Sequence, residues 1–156
     1  MKKIILVLSA VLLSAVVFAQ TDFSGNWALN TSKSKLGERS FAPKSAVIVQ
    51  TKADISIETK SEFQGQERVR KSKYTLDGKE CVNKGFRDMD VKSTAVWSAD
   101  KKVLTVTSKI SMDNGDMTMK AVYKMDGSNL VIESSSSSPM GDRSETQVFD
   151  GQPRRA

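Results

Sequence analysis

Histidine is absent from this sequence, cysteine occurs once and proline three times. The missing imidazole removes every serine–histidine arrangement, the commonest zinc ligand and the usual general base. A single thiol excludes an intramolecular disulfide. That thiol, Cys81, has Lys79 and Lys84 nearby to favour its thiolate, but no base to activate it. We read it as a small apolar filler. Aromatic residues make up only 6% of the chain and few are interleaved with the basic ones, so a single-strand nucleic-acid platform is not expected. After residue 19, no segment carries the 3.6-residue apolar period of a long amphipathic helix.

The start of the chain reads as a targeting segment. Lys2 and Lys3 are followed by an uncharged, largely apolar run from Ile4 to Val17. Val17 and Ala19 supply the small −3 and −1 residues of a signal-peptidase site, which places cleavage after Ala19. The run is short for a bilayer span, and the alternative is an uncleaved membrane anchor. Gln20, Thr21 and Asp22 follow, with no cysteine to carry a lipid. The expectation is a periplasmic or secreted protein with residues 1–19 as signal peptide and 20–156 as one domain, leaving no integral membrane segment.

Removing Lys2 and Lys3 with that leader leaves 22 basic residues against 18 acidic ones, a net charge of +4 spread along 137 residues. The densest basic stretch holds Arg68, Arg70, Lys71 and Lys73. On a strand, the two arginines share one face and the two lysines share the other. A solvated edge or rim explains this better than a nucleic-acid site.

What fills the rest is short runs of β-branched and apolar residues punctuated by turn chemistry. Asp77-Gly78, Asn114-Gly115 and Asp126-Gly127 each permit the positive φ of a tight hairpin turn. Further turns are expected near Lys52-Ala53 and Asp100-Lys101. Between them we read ten strands: 23–29, 45–51, 54–60, 66–76, 80–83, 91–98, 102–111, 117–125, 129–134 and 143–149. Short connections make sequential strands neighbours, so the expected fold is all-β: an antiparallel up-and-down meander closing into a barrel. Leu104, Val106 and Ile110 fall on one face of their strand, and Met117, Met119, Ala121, Tyr123 and Met125 on one face of theirs. Asn30 to Lys44 reads as a long connection capping one end, by a short helical turn or an irregular loop. Ser134 to Ser138, with Pro139 after it, reads as the start of a flexible loop, and the tail from Gly151 as frayed.

The opening of the expected mature chain, Phe23-Ser24-Gly25-Asn26-Trp27, resembles the G-x-W signature at the first strand of lipocalins and related calycin barrels. The wider run from Phe23 to Gly37 resembles small secreted lipocalin-like proteins of bacteria. The resemblance implies that Trp27 plugs the closed end of the barrel, with a basic side chain from near the last strand crossing its ring; Arg143 is the best-placed candidate. Two departures stand out. Many lipocalins carry disulfides, which this chain cannot form. Fatty-acid-binding barrels hold the ligand carboxylate with an Arg-x-Tyr pair, and none occurs here.

Other chemistry has plainer explanations. The closest acid pairs, Asp88 with Asp90 and Asp113 with Asp116, lie at expected turns, where acids stay solvated and cap the backbone. Met117 and Met119 could offer thioethers to Cu(I), but methionine also fills irregular barrel interiors, and no histidine completes a ligand set. No metal and no cofactor is expected. A ligand-lining set would be Trp97, Leu104, Val106, Met117, Met119 and Tyr123; the alternative is that these residues pack on one another and leave no room. The function expected is non-enzymatic binding of a small hydrophobic or amphipathic molecule. The alternative is a protein-interaction or envelope module that uses the barrel as a rigid scaffold.

Overall fold

The computed structural model describes residues 18–38 and 40–152. Most of the expected signal peptide, residues 1–17, therefore lies outside the described residues, as does the tail 153–156.

Ten strands follow one another: β1 (Gly25–Leu29), β2 (Ser45–Gln50), β3 (Asp54–Phe63), β4 (Gln66–Thr75), β5 (Cys81–Lys84), β6 (Asp90–Trp97), β7 (Leu104–Met112), β8 (Gly115–Asp126), β9 (Asn129–Ser138) and β10 (Gly141–Gln152). They form one antiparallel sheet in the order β4-β3-β2-β1-β10-β9-β8-β7-β6-β5. This is the expected all-β meander, curled into a nearly closed barrel. The period-two pattern that drives it is clearest in β7. Leu104, Val106, Ser108 and Ile110 are buried, while Thr107 and Lys109 are exposed.

Two sequence expectations are corrected here. The serine run does not begin a loop: Ser134 to Ser138 continue β9, paired to Glu145 through Gly141 of β10. The ladder bonds through the backbone, so a low-complexity run suffices when two long neighbours hold it in register. The turn falls instead at Pro139-Met140. Likewise Gly151 does not fray; it pairs with Trp27 of β1.

The closing seam lies between β4 and β5, which share no backbone ladder. Side chains bridge it. Asn83 Oδ1 accepts from the Lys73 N–H at 2.8 Å, and Asn83 Nδ2 donates to the Lys73 carbonyl at 3.0 Å. Cys81 Sγ accepts from the Thr75 N–H at 3.4 Å. Cys81 is thus a half-buried seam residue rather than an apolar filler: a thiol has one acceptor face to offer where a strand edge is left open. Beyond Lys84 the chain leaves β5 through a 3-10 turn, Phe86–Asp88.

In an antiparallel meander, odd-to-even connections gather at one end and even-to-odd connections at the other. The second end is closed. There the N-terminal segment crosses the barrel: the Thr21 N–H donates to the Lys101 carbonyl, and the Phe23 N–H to Gln50 Oε1. The first end is open, because β1 and β2 are short while the β3–β4, β7–β8 and β9–β10 hairpins run past them. The described residues of the 30–44 connection form no helix over this mouth. It turns at Asn30–Ser34, and Lys35 then bridges to Thr146 of β10.

Candidate functional site

The interior divides into a filled closed half and a half toward the open end, here called the cup, whose inward positions are mostly half-buried or exposed. Phe23, Ile55, Leu104, Leu130 and Phe149 are fully buried in the closed half; each stabilises the fold by about 1.5–3 kcal/mol through removal of apolar surface from water. The Phe23 ring stacks on Trp97, with centroids 5.8 Å apart and planes 8° from parallel. Phe23 also packs tilted against Tyr123 at 6.2 Å.

Trp27 sits nearby, its Nε1 donating to the Phe23 carbonyl at 3.0 Å. Two glycines lie against its ring, where an added Cβ would make ordinary van der Waals contact. A Cβ on Gly25 would stand 3.4 Å from Trp27 Nε1, and one on Gly151 would stand 3.5 Å from Cζ3. Gly25 also has φ +155°, where side chains with a Cβ rarely sit.

Trp27 and Arg143 are not brought together. Arg143 pairs with Ser136 near the open end of β10, eight residues from the Gly151 that faces Trp27; that is roughly 27 Å along a strand. The strand is legible in the residues, whereas the position along it is not.

The six residues expected to line a ligand site divide between the two halves. Trp97, Leu104, Val106 and Tyr123 belong to the packed core, none more than 9% exposed. Three of them line up across the sheet, Trp97 against Leu104 and Leu104 against Tyr123. Burial pushes the Tyr123 hydroxyl far above the ordinary tyrosine range. Among the described residues, Trp97 Nε1 is buried without an acceptor. Met117 and Met119 stand higher on β8 and are only half-buried.

Around those methionines, the inward face continues with Ser134 and Ser136 of β9 and Thr59 and Ser61 of β3. Beside Met119 in the register, Ser108 shares a buried hydrogen bond of 2.8 Å with Ser93. Tyr74 of β4 packs against the core. Its hydroxyl pKa is raised by burial, with opposing contributions from a Ser72 hydrogen bond and the charge of Arg70. Tyr74, Ser72, Arg70 and Arg68 share one face of β4 by alternation. The cup therefore has an apolar floor, a belt of methionine and hydroxyl groups, and a polar rim. Its rim residues were missed as site candidates, although the face pairing of Arg68 with Arg70 was visible in sequence.

Two surface depressions, of about 490 and 340 Å³, lie largely on the outward face of the barrel. Among the described residues no cluster of three metal-ligating side chains occurs. No helix among them is long and apolar enough to cross a membrane.

No protein-family model matches the sequence, and no curated protein does. Solved structures match the fold. Zebrafish ileal bile acid-binding protein complexed with cholic acid superposes with a TM-score of 0.56 at 16% identity, over 83% of this chain and 98% of that one. The fluorescent protein UnaG gives 0.56 at 18% identity, over 83% and 97% of the two chains. Fatty-acid-binding protein 1 of Echinococcus granulosus gives 0.56 at 8%, over 84% and 98%. The likeness shows the fold alone, a lipocalin-like β-barrel.

Proposed function

We propose that this chain is an exported, non-catalytic binding protein that takes a small apolar or amphipathic molecule into the open half of its barrel. The observation that carries the reading is the pair Met117 and Met119. They face inward above a filled core, yet remain half-exposed to the mouth. Flexible thioether side chains at a concave opening suit a ligand selected by shape. Similar folds in proteins named for bile-acid and fatty-acid binding support it. Export is read from the Val17 and Ala19 pattern.

Native mass spectrometry of the protein from its own host tests both parts. The expected result is a chain beginning at Gln20 that carries an adduct removable by organic extraction. A clean mass together with no binding of Nile red would overturn the cup reading. It would favour instead a scaffold that meets a protein partner through its outer wall. One feature supports that second reading: Val47 and Val49 are 39% and 59% exposed along the 340 Å³ depression. In that case Val49→Lys would abolish partner capture.

A further inference from the structure

Charge type is sorted by face throughout this barrel. Every lysine within a strand points outward, while all three strand arginines, Arg68, Arg70 and Arg143, point inward by alternation with buried neighbours. The nine ion pairs among the described residues all join a lysine to an acid. Arg70 and Arg143 take part in none of them. Arg68 lies over the Phe63 ring, 4.9 Å from its centroid.

Glu145 is the one strand acid on the inward face, and it accepts a hydrogen bond from Gln147 Nε2 at 2.7 Å. The inner wall of the mouth thus has three guanidinium groups against one carboxylate. β4 and β10 stand on opposite walls, four places apart in the strand order.

A lysine would have served a merely solvated rim. A guanidinium presents a planar fork of donors matched to an oxyanion, and it is more readily desolvated than an ammonium. Apolar walls beneath it focus its field into the opening.

We propose, resting on the binding role assigned to the cup, that its ligand is an amphipathic organic anion bound head-up. The oxyanion is held at the mouth by Arg70 and Arg143, and the apolar body rests on Met117 and Met119. This orientation explains why, among the described residues, the filled closed half contains no charged side chain to receive a head group, but only neutral polar ones: Tyr74, Tyr123, Gln147 and the Ser93–Ser108 pair.

The test is fluorescence titration of the full chain with 11-(dansylamino)undecanoate and with its methyl ester, which share one apolar body. The acid binds more tightly than the ester. Arg70→Gln and Arg143→Gln each weaken the acid by on the order of tenfold and leave the ester unchanged. The outward Lys120→Gln changes neither. Acid and ester binding alike in every variant would overturn the head-group assignment while leaving the cup intact. Loss of acid binding in Lys120→Gln as large as in the arginine variants would also overturn it, as diffuse net charge. Binding of neither probe would remove the cup itself.

Discussion

Ser93 and Ser108 face each other on β6 and β7 with no water-facing surface to spare, 1% and 7% exposed. Their shared hydrogen bond means that Ser93→Ala leaves a buried hydroxyl unpaired. We expect a loss of about 1–3 kcal/mol, and a double Ser93→Ala/Ser108→Ala variant that loses less than the sum of the two single changes; urea unfolding of the three variants measures it. Tyr123 makes a pH-dependent contribution. In the unfolded chain its phenol ionises near pH 10, whereas burial keeps it protonated in the fold to well above that. The native state then holds a proton that the unfolded state releases. Stability is therefore intact below about pH 10 and falls as pH rises beyond it, by up to about 1.4 kcal/mol per pH unit. Tyr123→Phe flattens that alkaline decline in thermal melts, leaving the part due to Tyr74, whose pKa is raised by the same cause.

Among the elements, the β4–β5 seam is where the barrel depends on side chains in place of a ladder. Asn83 supplies to Lys73 both the acceptor and the donor that a neighbouring strand would have supplied. Asn83→Ala removes both bonds, each worth about 0.5–1.5 kcal/mol. Hydrogen exchange of the Lys73 amide is expected to accelerate with little change in β8 or β9, whose ladders are intact. The β9–β10 hairpin shows the opposite case. Its serines contribute little by themselves, but ten paired positions hold the hairpin open above the cup. That length places Arg143 at the mouth and makes the site an edge feature of three long hairpins.

For the molecule as a whole, the asymmetry between closed and open ends governs both stability and binding. Phe23 lies outside any strand, yet it is fully buried, stacked on Trp97 and bonded to Trp27. Phe23→Ala should cost about 3–5 kcal/mol in denaturant unfolding and shift tryptophan emission to the red as water reaches Trp97. The cup should respond to a different variable. A ligand at a hundred times its dissociation constant adds about 2.7 kcal/mol to folding, so a rise in melting temperature with dansylundecanoate is expected in the wild type. The rise is expected to be smaller in Arg143→Gln.

Much of this was legible in the residues themselves. Period-two alternation and the glycine turns determine the ten strands, their order of pairing and the inward face of each, because a pleated strand has only two faces and a short turn only one neighbour. The same alternation separated Arg68 and Arg70 from Lys71 and Lys73. What it cannot carry is position along the barrel axis. A buried residue in a filled floor and a half-buried residue in an open cup have the same parity, so Trp97 and Met119 looked equivalent. Trp27 and Arg143 looked like partners for the same reason. Only the tertiary structure decided which end the N-terminal segment closes, how far each hairpin overshoots its neighbours, and that β4 and β5 meet through Asn83 and Cys81. Those depend on how strands of unequal length stagger around a curved sheet, a relation between segments distant in sequence.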